Sequence, residues 1–167
     1  MPAGVEVVVT GIGKTQAAVA VTRAVLATDG DVQVANIGTA GGLRDDVNGL
    51  FEPGVVINHD VNVDAIRALG HDPHERLELA HGAADVVLAT GDAFIDDVAV
   101  RDRLAERAML VDMEGYAVAW ACQQLGVPLR MAKHVSDHAG DDAHDWPAMV
   151  DRSARELGAW LRSTYLL

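Results

Sequence analysis

The segment Val7–Thr15, VVVTGIGKT, joins a run of β-branched residues to a turn with two glycines, followed by lysine and threonine. Valine runs of this kind are typical of buried strands, and glycines commonly end them. We therefore predict a strand over Val5–Thr10 and a helix over Thr15–Ala27. A strand that leads through a short turn into a helix is the repeating unit of α/β proteins.

The glycine turn does not have the spacing of a nucleotide-binding loop. A P-loop carries a glycine five residues before its Gly-Lys pair, and that position is Val8, inside the predicted strand. The dinucleotide-binding fingerprint requires a third glycine where this chain has Gln16. We interpret Gly11 and Gly13 as glycines that let the helix pack closely under its own strand.

Strand-like and helical patterns alternate along the rest of the chain. This alternation predicts an α/β fold, a single three-layer domain over residues 1–167 with a mixed, mainly parallel sheet flanked by helices. The further predicted strands are Gln33–Ile37, Gly54–Asn58, Asp85–Ala89, Met109–Val111 and Leu129–His134, and the further predicted helices are Asp97–Arg107, Glu114–Leu125 and Trp146–Tyr165.

Composition narrows the class of function. The net charge of −12 argues against binding to nucleic acid or to anionic membrane surfaces, since both would repel the chain. The single cysteine, Cys122, excludes an internal disulfide and a cysteine metal cluster, so we expect a cytoplasmic protein. No apolar run approaches the ~20 residues of a membrane span, and the N-terminus lacks a signal-peptide pattern.

Small, acidic and aromatic residues follow the predicted strands, where ligands of α/β proteins bind. Four segments have this character: GTAGGL from Gly38, TGDAFID from Thr90, DMEGYA from Asp112 and SDHAGDD from Ser136. They predict a site for a small molecule at the edge of the sheet.

Taken together, these segments resemble the nucleoside phosphorylase/nucleosidase superfamily, most closely its hydrolytic branch, the methylthioadenosine/S-adenosylhomocysteine nucleosidases. TGIGKTQAA is similar to the family's strand–glycine–helix unit, NIGTAGGL to its glycine-rich turn, and TGDAFI to its base-contacting loop. VDMEGYAVA is similar to its ribose-binding segment and HVSD to its catalytic-acid segment. The resemblance implies hydrolysis of a small-molecule purine-type nucleoside in methionine salvage, without a cofactor, by a homodimer.

The resemblance implies a catalytic role for Asp137 and Ser136. Cleavage of an N-glycosidic bond leaves negative charge on the departing purine, and Asp137 matches the family's general acid for that base. Ser136 is the neighbour that would orient it. To act near neutral pH, such an acid needs a proton affinity raised by its surroundings.

The remaining implied contacts are with the ribose and the base. Glu114 matches the glutamate that accepts hydrogen bonds from the ribose hydroxyls, Met113 would pack on the ribose face, and Asp112 belongs to the same segment. Phe94 is similar to the aromatic residue that stacks on the purine, and the backbone of Ile95 would read the base edge. A core position is the alternative for both Met113 and Phe94.

The glycine-rich turn bears on the choice between hydrolase and phosphorylase. It contributes Thr39, Ala40 and Gly41 to the implied substrate site. Phosphorylases of the superfamily carry an arginine two residues before this turn's first glycine, where this chain has Asn36, and asparagine supplies no cation for phosphate. Arg44 lies beyond the turn, and we interpret it as a surface residue. We therefore expect water as nucleophile, with Thr39 helping to hold it; a phosphorylase is the alternative.

The sequence departs from the family pattern in two places. Family members begin with another strand, followed by the glutamate that activates water; this chain is expected to lack both, and Glu6 would lie within a strand. The region Asn58–Leu88, which in the family helps enclose the 5′ substituent, is shorter. Other nucleosides, including futalosine-like ones, therefore stay open, as does a truncated or non-catalytic nucleoside-binding descendant.

A metal site is the weakest hypothesis that the sequence raises. The spacing of the candidate ligands fits no pair carried on one helix, and HDPH reads as a loop around Pro73. We therefore expect solvated polar loops and no metal. The candidates are His71, His74, His138, His144, Asp141 and Asp142.

Overall fold

The structure, a computed structural model, describes residues 4–139 and 146–165. Helices and strands alternate along it, as the sequence predicts. The helices are α1 (Lys14–Ala27), α2 (Val63–Ala68), α3 (Val98–Ala105), α4 (Gly115–Leu125) and α5 (Trp146–Tyr165). The strands are β1 (Val34–Gly42), β2 (Leu50–Phe51), β3 (Pro53–Asn58), β4 (Arg76–Glu78), β5 (Ala83–Thr90), β6 (Leu110–Asp112) and β7 (Leu129–Asp137).

The strands form one mixed sheet in the order β2-β7-β1-β6-β5-β3-β4. Its long ladders are parallel: β1 with β7, and β5 with both β3 and β6. The short strands β2 and β4 pair antiparallel at the two ends. The two parallel halves run in opposite directions and meet where Gly41 and Gly42 of β1 pair with Val111 and Leu110. The predicted fold class, an α/β domain with a mixed sheet, is confirmed.

Helices cover both faces of this sheet. On one face α1 and α4 pack against side chains from both halves, including Val56, Leu88 and Met131. On the other face α3 packs against the half containing β3, β5 and β6 through Leu104. The alternation of strand side chains between two faces explains why nearly continuous valine and alanine runs are buried.

The last helix, α5, packs on the face of β7 that carries Ala132. Leu157 and Trp160 are buried against Ala132. The Arg130 guanidinium lies 5.7 Å from the centre of the Trp160 ring. The hydroxyl of Ser153 is 2.9 Å from Nδ1 of His134, which joins the helix to the strand by a buried hydrogen bond.

The predicted strand over Val5–Thr10 is wrong. These residues lie outside any helix or strand, and the side chains of Val7 and Val9 are 68% and 88% exposed. No described strand pairs with them, and valine's preference for strands depends on neighbouring side chains and a backbone partner. Glu6 therefore does not lie in a strand.

The side of β1 that faces away from β7 has few partners among the described strands. β1 pairs with β7 from Val34 to Gly41. On the opposite side, pairing with another described strand is limited to Gly41 and Gly42. Within residues 4–139 and 146–165, the sheet therefore has an open stretch of backbone in its interior, beside the glycine-rich turn.

The sequence reasoning missed three short elements, α2, β2 and β4. Strands of two or three residues are too short to show an alternating pattern. The six-residue helix α2 is capped by the preceding residue, Asn62, whose side chain accepts a hydrogen bond from the Ala65 amide. Neither α2 nor any other described helix combines the length and apolar character needed to cross a bilayer.

Candidate active site

A buried polar network lies at the end of β6 and joins this strand to β5, α4 and β7. The Asp112 carboxylate accepts hydrogen bonds from the Thr90 hydroxyl at 2.6 Å and from the Gly115 amide at 2.9 Å. The ammonium group of Lys133, on β7, lies 2.9 Å from Asp112 Oδ2. Both side chains of this ion pair are almost fully buried. A buried ion pair of this kind is stable only when its remaining polar atoms also find partners.

Lys133 is a site residue that the sequence reasoning missed. It lies in a largely buried strand four residues before Asp137, and it reaches across β1 to the opposite half of the sheet. A lysine inside a predicted strand, with acidic residues at neighbouring strand ends, is the signal that could have identified it.

Glu114 follows this network and contacts the glycine turn that precedes α1. Its Oε1 accepts a hydrogen bond of 2.8 Å from the backbone amide of Gly13. Burial raises the pKa of Glu114, and the negative charge of Asp112 adds to that rise, while the Gly13 amide opposes it. Met113, between the two acids, is half-buried. Glu114 therefore places a half-buried carboxyl group in the site, with one oxygen held by the Gly13 amide.

The turn before α1 is held by acidic side chains. The backbone amide of Lys14 donates to Asp92 at 2.8 Å. Its ammonium group donates to Asn58 Oδ1 at 2.9 Å and also to Asp60. A lysine occupied in this way leaves no free cation for a phosphate. The interpretation of the turn as architecture agrees with these contacts.

Asp137 lies at the end of β7 with a donor on each carboxylate oxygen. The Ser136 hydroxyl donates to Oδ2 at 2.8 Å, and the backbone amide of Ala139 donates to Oδ1 at 2.9 Å. The predicted pairing of Ser136 with Asp137 is therefore present in the structure.

Gly41, in the glycine-rich turn, lies between Asp137 of β7 and Val111 of β6. It pairs with Asp137 on one side and with Val111 on the other. A Cβ atom at Gly41 would lie 3.2 Å from Asp137 Oδ1 and 3.1 Å from both Val111 Cγ1 and Ala139 Cβ. A side chain at this position would therefore crowd Asp137, Val111 and Ala139, each of which would have to move by a few tenths of an ångström. The neighbouring Ala40 is buried, and Thr39 is half-buried opposite His134.

The loop after β5 contributes one buried and one exposed residue. Ile95 is buried in the same apolar cluster as Val111 and Ala139, which places this loop beside the acid segment. Phe94 is 57% exposed, so it is not a core residue. The structure thus removes the alternative of a core position for Phe94 and leaves its ring accessible to a ligand.

The structure brings most of the candidate residues to the junction of β1, β6 and β7. Asp137 and Glu114 are not hydrogen-bonded to each other; they are connected through Gly41, Val111 and Asp112. The side chain of Arg44 is 44% exposed and lies 3.7 Å from Asp46, so it is a surface residue, as predicted.

The histidine candidates do not form a metal centre within residues 4–139 and 146–165. No group of three or more His, Cys, Asp or Glu side chains there is arranged to hold an ion. His71 and His74 are exposed. Asp141, Asp142 and His144 lie outside the described residues.

Comparison with known proteins gives the same family. The family model of the phosphorylase superfamily matches residues 3–162. An aminodeoxyfutalosine nucleosidase from Helicobacter pylori is 30% identical over 91% of this chain and 75% of its own length. A 5′-methylthioadenosine/S-adenosylhomocysteine nucleosidase from Chromohalobacter salexigens is 33% identical over 90% of this chain and 75% of its own length.

Solved structures resemble this fold closely. The native structure of futalosine hydrolase from Helicobacter pylori matches with a TM-score of 0.81 and 28% identity, over 92% of this chain and 76% of that one. The 5′-methylthioadenosine/S-adenosylhomocysteine nucleosidase from Neisseria meningitidis, in complex with methylthio-immucillin-A, matches with a TM-score of 0.77 and 26% identity. That match covers 92% of this chain and 77% of the other.

Proposed function

This chain belongs to the phosphorylase superfamily, and from that membership and the surroundings of Asp137 we propose that it hydrolyses the N-glycosidic bond of a purine-type nucleoside. The observation that carries the proposal is the place of Asp137. It ends β7, is oriented by a hydrogen-bond donor on each carboxylate oxygen, and lies against Gly41, where a Cβ atom would be only 3.2 Å from Oδ1.

In the proposed reaction Asp137 is the general acid. As the bond between ribose and base breaks, the electron pair goes to the purine, and Asp137 gives its proton to the base nitrogen. The hydroxyl of Ser136 orients the carboxyl group, because a hydroxyl donates to the ionised form and accepts from the protonated one. The amide of Ala139 holds the other oxygen throughout.

Glu114 is the proposed ribose contact. Its carboxylate would accept hydrogen bonds from the ribose hydroxyls, fix the position of the anomeric carbon and stabilise the positive charge that develops there. The network around Asp112 supports this role, because it fixes the backbone on which Met113 and Glu114 lie. Met113 would cover the ribose face.

The base would lie against the loop after β5. The exposed ring of Phe94 is available to stack on a purine, while the buried side chain of Ile95 anchors the backbone that would read the base edge. The backbone of the glycine-rich turn, from Thr39 to Gly41, would close the site on the side of β1.

We propose water as the nucleophile, held by Thr39. Asn36 is half-buried on β1 and offers no positive charge, and the nearby Arg44 is directed to solvent. The two lysines that the described structure places near the site, Lys14 and Lys133, are paired with Asp60 and Asp112, so neither is free to receive a phosphate dianion. This arrangement supports a hydrolase over a phosphorylase.

The relatives' names suggest the substrate class. They act on nucleosides with a substituent at the 5′ position, so we propose a methylthioadenosine-like or aminodeoxyfutalosine-like substrate. Methylthioadenosine as substrate would place the enzyme in methionine salvage. We further propose a cytoplasmic homodimer; a mass of twice 17.7 kDa in sedimentation would support the dimer.

A panel of nucleosides tests the proposed function. Methylthioadenosine, S-adenosylhomocysteine, aminodeoxyfutalosine, adenosine and a pyrimidine nucleoside are each incubated with the protein, with and without phosphate. We expect free purine and free sugar, at rates that phosphate does not change. A sugar-1-phosphate product would make the chain a phosphorylase. Saturable binding without base release would make it a nucleoside-binding protein.

A further inference from the structure

The glycine turn before α1 is anchored at three points by one residue, Lys14. Its backbone amide donates to Asp92, and its ammonium group donates to Asn58 and to Asp60. The amide of Asp92 in turn donates to Asp60 Oδ2 at 2.7 Å. The ends of β3 and β5 are thereby tied to the start of α1.

The pair of Lys14 with Asp60 is partly shielded from solvent. The side chain of Lys14 is 19% exposed and that of Asp60 is 27% exposed. Burial alone would raise the pKa of Asp60, but its hydrogen bond from Lys14, the Asp92 amide and the lysine charge together lower it. Asp60 is therefore ionised at neutral pH, and the pair is held by charge as well as by hydrogen bonds.

The anchored turn has one direct contact with the proposed active site. Gly13 has φ of +93°, and a Cβ there would lie 3.0 Å from Asp92 Oδ1. Its own amide donates to Glu114, while the next amide along the chain donates to Asp92. The backbone amide of Gly13 is thus fixed by Glu114, and that of Lys14 by Asp92.

We propose that Lys14 is a positioning residue for Glu114: by tying the turn to Asp60 and Asp92, it holds the Gly13 amide against Glu114 and fixes the carboxylate that meets the ribose. This inference rests on the proposed function. It assigns a role to the Gly-Lys pair that is neither phosphate binding nor simple helix packing. Lys14 touches no substrate in this role.

Kinetics of matched variants test the role. Lys14→Met removes the charge at similar volume, and Lys14→Arg keeps it. We expect Lys14→Met to raise KM for the ribonucleoside about tenfold, to change KM for its 2′,3′-dideoxy analogue by less than about twofold, and to be partly rescued by Lys14→Arg. Arg130→Met is the control, because it breaks a 2.8 Å ion pair with Glu52 at the other end of β7. It should leave the ratio of the two KM values unchanged.

A second measurement does not depend on activity. The Gly13 amide resonance should follow the titration of Glu114, whose pKa is raised above the ordinary 4.5, because the two groups are hydrogen-bonded. Glu114→Gln identifies that titration by abolishing it. In Lys14→Met, and in Asp60→Asn, which weakens the same anchor from its acidic side, the Gly13 resonance should lose most of this response.

The outcomes separate the two proposals. If the unmodified protein releases no base, the proposed function fails, while the Gly13 titration still decides the role of Lys14. If Gly13 follows Glu114 equally well in Lys14→Met and Asp60→Asn, the positioning role is wrong. A proportional rise in KM for both the ribonucleoside and the dideoxy analogue would also overturn it.

Discussion

At the scale of single residues, Asp137 has the most direct proposed role. Both of its carboxylate oxygens already have donors, so an amide in its place would keep one acceptor and most of the local structure. What an amide lacks is an acidic proton for the leaving base. Replacing Asp137 by asparagine therefore tests the proton transfer while changing the local structure little.

We predict that Asp137→Asn lowers kcat by about 10²–10⁴-fold, the usual contribution of a general acid. Nucleoside affinity should stay within about threefold, because the acid acts mainly in the transition state. Base release and calorimetric titration with an unreactive analogue measure the two effects. Asp46→Asn, at a position 82% exposed, serves as the control. Near-normal turnover in Asp137→Asn would remove Asp137 from the mechanism.

The raised pKa of Glu114 leads to a prediction of how the stability of the folded protein depends on pH. Burial raises its pKa in the folded protein above the ordinary 4.5, so folding binds a proton at acidic pH. Its favourable contribution is complete below pH 4.5 and is lost as pH rises through the folded-state pKa. In Glu114→Gln that loss is absent, and the amide oxygen still accepts from Gly13.

The free energy of unfolding of Glu114→Gln should therefore rise relative to that of the unmodified protein as pH increases through this window, and then level off. Urea unfolding at a series of pH values measures the difference. A constant difference across the series would mean that the folded protein does not raise the pKa of Glu114.

At the scale of elements, the ion pair between Lys133 and Asp112 joins β7 to β6 across the open side of β1. We predict that Lys133→Met destabilises the protein by about 3–5 kcal/mol, because it leaves Asp112 buried and charged without its cation. The double variant Lys133→Met/Asp112→Asn should recover part of this loss. Urea unfolding measures both. A loss below about 1 kcal/mol in the single variant would show that Asp112 is satisfied without the lysine.

The elements that were predicted correctly carry their own signals. Helix α4 ends where Gly126 adopts φ of 67°, Pro128 follows two residues later, and β7 begins directly after that proline at Leu129. The segment Val5–Thr10 has the same local pattern as a strand but forms none, since a strand requires a partner that composition does not reveal. Local pattern therefore predicts a strand correctly only where the tertiary structure supplies a partner.

In the candidate site, too, the sequence indicated individual residues but not the tertiary contacts between them. The order of short motifs at strand ends pointed to Asp137, Glu114 and Gly41, which the structure places around one junction. The reversal of direction between β1 and β6, the reach of Lys133 to Asp112 and the contact of Gly13 with Glu114 depend on tertiary arrangement. Residues 101 positions apart, such as the last pair, leave no local trace in one sequence.

At the scale of the whole molecule, Cys122 reports on global unfolding. It is 2% exposed on α4, in the main apolar cluster, and burial raises the pKa of its thiol to about 11. We predict that a thiol reagent at neutral pH modifies the native protein only at the rate at which it opens globally, and modifies the urea-unfolded protein at once. Rapid modification without denaturant would show that α4 opens locally.

The open side of β1 has a consequence for the exchange of backbone hydrogens with solvent. Peptide groups of a strand point alternately to its two sides, and the amide of Val34 donates to Pro128, toward β7. The amides of Asn36 and Gly38 should do the same, whereas those of Ala35 and Ile37 point to the side that lacks a described strand partner. We therefore expect deuterium uptake to alternate residue by residue from Val34 to Gly38, fast at Ala35 and Ile37 and slow at the even positions. Uniform protection from Val34 to Gly38 would mean that another segment occupies that side in solution.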